Sequence, residues 1–341
     1  MNSKRWIAAG IAAALLTISL LAQTITGGES AYQKQYFLDG LLDEDVMEKV
    51  LYQGDSRERI AVIYIDGVIS SYTSYGVSGG IGYDHHFVLQ QIEDLKNDET
   101  VKGLILSVNT PGGGTFESAQ LKDALIDLKQ STGIPIYVSM QKIAASGGYY
   151  ISAHADKIFA TEETLTGSIG VIMSGLNLAG LYEKLGITED TIKSGAFKDI
   201  GSSSRVMTEE ERAILQEMID LSYERFVKVV SEGRGISKEK AKKLADGRIY
   251  DGGQAKANGL VDEIGYFESA LYRMQQDYNL DHAQVFYYHV NRTNFVSLLR
   301  MNVSALFKRG ESQNRILENL IQAEKMNVVR PMYIYQGGRY E

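Results

Sequence analysis

The chain has no cysteine among its 341 residues. That excludes disulfides, thiolate zinc sites and a cysteine nucleophile, so any attacking atom must be oxygen or nitrogen. A basic excess is missing too: 35 Lys and Arg stand against 43 Asp and Glu, a formal net charge of −8. There is nothing to neutralise a phosphate backbone, and nucleic acid is not expected as a partner. Histidine is scarce, at five residues, which limits the usual general bases. What is present, 44% hydrophobic and 23% charged residues, suits a globular protein with one sizeable core plus appendages. One stretch departs from this: after Lys4 and Arg5, residues 6–28 carry no charge. The run has the length of a bilayer span, and a transmembrane anchor is expected, with a cleaved signal peptide as the competing reading. The flanking Lys4 and Arg5 put the amino terminus in the cytoplasm and the bulk of the chain outside it.

Residues 29–58 read as a polar connector with a short helix in "LLDEDVMEKVL". From Arg59, apolar runs alternate with helical patterns. Strands are expected at 60–66, 101–109, 134–140 and 157–160, with helices near 86–97, 116–130 and from about 147. Continuous apolar strands separated by amphipathic helices predict a parallel sheet covered by helices, an α/β fold. "MTEEERAILQEMIDLSYERFVKVVSEGRG" (207–235) predicts a long helix, capped by Thr208 and Glu211, with an apolar face through Ile214, Met218, Leu221 and Val229. A shorter helix (237–245) follows, then a strand, helix and strand over 249–265. Beyond about 280 no period is clear.

Two Gly-rich turns stand at carboxyl ends of expected strands, where open α/β sheets place their sites. In "NTPGGGTFESA" (109–119), Gly112, Gly113 and Gly114 let backbone amides face outward before a helix begins. The turn has neither the GxGxxG nor the GxxxxGK[ST] spacing of nucleotide loops. "KIAASGGYYISA" (142–153) sets Ser146 at a strand-to-helix turn, near a helix amino end and beside free amides. That placement suits a nucleophile, although a cap that packs a helix closely on the sheet would look the same. A serine needs a base. His85, His86, His154, His282 and His289 have no motif around them and read as surface or loop residues. A desolvated lysine can replace histidine. Lys198, in "TIKSGAFKDIGSSSR" after an expected strand "TEDTIKSG", is a better candidate than Lys193 or Lys142. "SKEK" (237–240) has SxxK spacing but no companion motifs. Ser168, in the "TGSIGVI" turn that runs into an expected apolar strand, could orient a lysine amine.

Taken in order, "NTPGGG", "AASGGYYIS", "TGSIGVI", "SGAFKD" with "MTEEE", and "DGRIYDGGQAKANGLVDEIG" resemble the signal peptide peptidase A family of membrane-anchored serine peptidases. The resemblance covers about 59–265. It implies a ClpP/crotonase-like fold of repeated ββα units, preceded by one transmembrane helix. It also implies a Ser-Lys dyad with Ser146 as nucleophile, Lys198 as general base and Ser168 orienting it, with no metal or cofactor. The Gly113 amide would stabilise the oxyanion, and Gly112, Gly114 and Gly147 would line the substrate groove. Partners would be signal peptides, the bacterial cell membrane and further copies in a homo-oligomer. Gln141 and Lys142 depart from the family pattern. The implied map is 1–5 cytoplasmic, 6–28 anchor, 29–58 connector, 59–265 peptidase domain and 266–341 carboxyl-terminal appendage and tail. Two other functions share these features, a crotonase-like acyl-CoA hydratase or isomerase and a silent membrane scaffold. The ending "RPMYIYQGGRYE" is an extended apolar segment that could compete for a peptide groove.

Overall fold

The computed structural model describes residues 46–71, 83–290 and 330–337. The expected anchor at 6–28 lies outside them, and no helix among the described residues is long and apolar enough to cross a membrane. The described residues fall in two compact units, the first holding 46–47 and 289–290 and the second 48–71, 83–288 and 330–337. The site and the strands from Asp55 to Ile264 belong to the second.

The expected α/β alternation forms. The strands are β1 (Val46–Tyr52), β2 (Asp55–Asp66), β3 (Val101–Thr110), β4 (Gly112–Gly114), β5 (Ile136–Ala145), β6 (Lys157–Ala160), β7 (Leu165–Gly167), β8 (Ile249–Tyr250), β9 (Glu263–Ile264), β10 (Ala283–Val290) and β11 (Met332–Ile334). The main sheet runs β1-β10-β2-β3-β5-β6-β9, with β7 beside β5 and β8 beside β7. From β10 to β9 the neighbours along this path are parallel. Both faces of these strands are apolar, as helix cover on two sides requires. Ile60, Val62, Ile105 and Phe159 pack with Ala270 and Met274 of α8 (Phe267–Tyr278) on one face. Ile63, Leu106 and Val138 join Ile92 of α1 (His85–Lys96) and Leu121 and Leu125 of α2 (Thr115–Thr132) on the other.

Several expectations shift. The connector's expected helix includes residues that form β1, a strand. β2 begins at Asp55, inside the expected connector, while α8 and β10 lie beyond residue 265, and β10 pairs with β2 from Ala283 to Tyr287. The sheet therefore draws on both flanks of 59–265. "TEDTIKSG" forms no strand, and the expected strand after "TGSIG" is a single bridge at Ile172. The long helix α5 (Glu209–Gly233) carries the expected capping box, with Thr208 Oγ1 accepting the Glu211 amide and Glu211 accepting the Thr208 amide. Its apolar face divides: Val229 is buried, but Ile214, Met218 and Leu221 are exposed.

Candidate active site

β5 extends through Ala145, and Ser146 follows as the cap of α3 (Gly147–Ser152). The extension comes from β7, which pairs Ala144 with Thr166 and Ala145 with Gly167. Continuing that register sets Ser146 opposite Ser168. Gln141 and Lys142 thus sit inside β5 rather than in a loop, and the Gln141 carbonyl accepts from Thr164 Oγ1 at 2.8 Å. Among the described residues only three non-glycines have positive φ: Ser146 at 52°, Ser168 at 46° and Asn279 at 58°. Such conformations cost on the order of 1–3 kcal/mol and persist where surrounding structure enforces them. Here the enforcement is visible. The Ser146 amide donates to Gly167 O at 2.7 Å, and the Ser168 amide donates to Arg248 O at 2.7 Å. Ser146 is buried, and its hydroxyl makes no hydrogen bond to a described residue.

The Gly-rich turn forms β4. Ile69 donates to Gly112 O and accepts from the Gly114 amide, both at 2.9 Å. Strand alternation then directs the Gly113 amide to the opposite side. That side is occupied by the carboxyl-terminal segment, because β11 pairs antiparallel with β4, Met332 with Gly114, Tyr333 with Gly113 and Ile334 with Gly112. Met332 and Ile172 exchange backbone bonds on the other edge of β11, and the Tyr335 amide donates to Pro111 O at 2.9 Å. A Cβ on Gly112 would lie 2.0 Å from the Tyr333 carbonyl oxygen and 2.5 Å from the Gly147 nitrogen. The glycines thus let a peptide carbonyl approach the turn that bears Ser146. The Tyr333 ring is buried against Tyr150 and Phe226, each 4.8 Å away between centroids, and its hydroxyl donates to Ser222 O at 3.1 Å. Ile334 reaches a cleft of about 290 Å³ lined by Ser168, Val171, Tyr223 and Asp246.

Lys198 is placed differently. Every residue from Glu183 to Lys198 is exposed, and among the described residues no hydrogen bond or ion pair holds the Lys198 amine. Its neighbour Asp199 is clamped: Arg205 donates to both carboxylate oxygens at 2.9 Å, and Lys193 to one at 2.6 Å. The same guanidinium forks onto buried Glu211, with one bond at 2.8 Å and a second from Nη2. The Arg205 hydrogen bonds, with that of Lys193, hold the Asp199 carboxyl far below the usual carboxylate range, and those from Arg205 and the Thr208 amide hold Glu211 down at about 2. Lys193 is therefore an ion-pair partner. Ser237 caps the helix Lys238–Leu244, as a residue outside the site. No histidine bonds to Ser146. His85 is buried, against expectation, between Tyr83 at 2.5 Å and Gln120 at 3.0 Å. Burial lowers the His154 pKa, next to Lys122.

The sequence model of peptidase family S49 matches residues 128–281, which span β5, Ser146, Ser168, Lys198 and the clamp. A protein of Enterococcus faecium, provisionally named signal peptide peptidase SppA, is 41% identical over 99% of this chain and all of its own length. The chain belongs to peptidase family S49. Protease 4 of Haemophilus influenzae is 37% identical over 64% of this chain and 34% of itself, and a chloroplastic serine protease SPPA of Arabidopsis thaliana is 30% identical over 66% and 33%. This S49 peptidase is a serine protease. Its residues Glu117, Ser118 and Arg205 lay outside the sequence reading. Ser118 Oγ is buried without a hydrogen-bond partner among the described residues, 2.7 Å from where a Cβ on Gly147 would be. Helical spacing from the "PGGG" turn could have pointed to it and to Glu117.

Proposed function

We propose that this serine protease is a membrane-anchored endopeptidase that cleaves apolar peptides with Ser146 and Lys198. The observation that supports it most is a peptide strand laid on β4 with its carbonyl beside the strained turn of Ser146. In the reaction a neutral Lys198 amine takes the Ser146 proton, and Oγ attacks the carbonyl carbon. The carbonyl oxygen takes up the negative charge and accepts from the Gly113 amide. The lysine passes its proton to the departing amine, and water, deprotonated in turn, frees the acyl group from Ser146. Ser168, opposite Ser146, orients the amine.

A lysine acts as a base only when something removes water from it. Among the described residues nothing does so for Lys198, which is exposed. We assign that role to a second copy of the chain, docked over 171–206 and the exposed Ile214, Met218 and Leu221 face, in a homo-oligomer. The signal-peptide substrate, the extracytoplasmic placement on a bacterial membrane and the ClpP/crotonase-like fold belong to the same proposal. They rest on residues 6–28, the parallel sheet and the Enterococcus faecium relative's name. Full-length protein treated with a serine-reactive acylating probe tests the assignment. Label on the peptide containing Ser146, with peptide cleavage lost in Ser146→Ala, is expected; undiminished cleavage in that variant would sink it.

A further inference from the structure

The tail that lies on β4 also brings a cation. Arg330, three residues before Tyr333, pairs with Glu117 at 3.5 Å. Glu117 is 3% exposed, sits in the first turn of α2 and has no other Lys or Arg partner among the described residues. Its remaining partners are neutral: the Ser71 amide and hydroxyl donate to Oε1 at 3.2 and 2.9 Å. Oε2 is buried, has no hydrogen-bond partner among the described residues, and packs where a Cβ on Gly114 would be, 1.8 Å away. Burial pushes this carboxyl's pKa up, but its own amide, Ser71 and Arg330 outweigh burial and bring the net shift down. The groove therefore ends in an ionised, under-satisfied carboxylate, four residues along the bound strand when Tyr333 is counted as the first. A buried charge left without its partner is costly, so an occupant that supplies a cation there is favoured over one that does not.

We propose that Glu117 is a specificity-determining residue, which selects peptides carrying arginine or lysine three residues before the one whose carbonyl is attacked. The inference deepens the proposed peptidase reading and uses its alignment of the strand. Its substrates are peptides with a basic residue followed by an apolar pair and an aromatic, as in Arg330-Pro331-Met332-Tyr333. The bound strand supplies the rest of the recognition through backbone bonds and the Tyr150 and Phe226 pocket.

The test compares two fluorescent peptides of sequence RPMYIYQG and QPMYIYQG on the full-length protein, in wild type and Glu117→Gln, each also in the Ser146→Ala background. Binding is read by anisotropy and cleavage by product formation. The wild type should bind the arginine peptide about tenfold more tightly, and Glu117→Gln should bring the ratio to about one. The tail competes equally with both peptides, and the ratio is indifferent to how much protein is folded. Equal binding by the wild type overturns the proposal, as does a preference that survives Glu117→Gln. A preference seen in binding without cleavage by the wild type would instead count against the catalytic reading alone.

Discussion

The turns at 112–114, 146–148 and 167–168 and the segment 171–206 are both rich in glycine, serine and short apolar runs, yet they meet opposite fates. In the turns the Ser146, Ser168 and Gly114 amides donate to neighbouring backbone carbonyls, both serines are buried, and both are held at positive φ. The segment contains one short helix, Ala179–Leu185, with no buried residue, and it exposes Leu185, Ile187 and Ile192. Packing density separates a region whose geometry is fixed by its own neighbours from one whose apolar side chains face solvent. The proposed nucleophile lies in the first region and the proposed base in the second.

The comparison breaks most directly through the dyad. Ser146→Ala and Lys198→Ala are each expected to lower kcat by about 10³-fold or more. If the base is buried by a second copy and serves its serine, co-assembling the two inactive variants should restore turnover. Activity that stays absent in the mixed assembly, with each variant folded and assembled, would place both residues in the same copy. Within the packed region, Gly113→Ala should be harsh for so small a change. Its Cβ would meet Ile69 O at 1.9 Å, so β4 must shift away from the position that aims the amide. A loss of about 10² in kcat, with overpacking costing roughly 1–3 kcal/mol in chemical denaturation, is expected. Unchanged kcat would mean that the amide is not used.

The sheet was legible because its strands are unbroken apolar runs: β3 and β6 fall at 101–110 and 157–160, almost as read. The capping box at Thr208 and Glu211 is local and was equally legible. Pairings between distant segments were not. β1 has the glutamate and lysine of a helix, but the sheet edge beside β10 makes it a strand. "TEDTIKSG" has strand-forming threonine and isoleucine, but no edge to pair with. Ser146 and Ser168 could be singled out as candidates from their turns, since glycine neighbours are a local signal, whereas Gly113 was singled out only through the family resemblance. Arg205 could not, because its importance lies in joining Asp199 to Glu211 across a loop.

That junction gives the next prediction. Arg205→Gln should free the stretch that presents Lys198 while leaving the sheet untouched, with kcat down about tenfold and the thermal midpoint within about 4 °C of wild type. The pH profile separates this from general loosening. Asp199 and Glu211 both have depressed carboxyl pKa values. Their contribution is complete above the ordinary carboxylate range near 4 and is lost only as pH falls through the folded values, about 2 for Glu211. The clamp therefore does not titrate between pH 5 and 9, and a limb of activity that rises with pH there reports another group. Without Arg205, the Asp199 charge beside the base is less compensated and favours an ammonium. The rising limb should move to higher pH in Arg205→Gln and return in Arg205→Lys. An unmoved limb would reduce the clamp to a structural tie.

The smallest effect concerns the tail, which belongs to neither region by sequence but is held by both: β4 on one edge and Ile172 on the other. Burial of the Tyr333 ring contributes on the order of 2 kcal/mol to its docking, and tethering makes its local concentration high. A competitor of that kind raises the apparent KM without altering kcat. Tyr333→Ala should therefore lower KM for an added peptide several-fold at constant kcat, and deletion of 331–341 should do the same. If Ile172 and its neighbours are held only through β11, the deletion should also increase amide exchange from Val171 to Ser174, while exchange at Ser146 and Ser168 stays slow. Faster exchange at all of these positions would show that the tail is part of the packed turn itself, and the contrast between the two regions would then depend on an occupied groove.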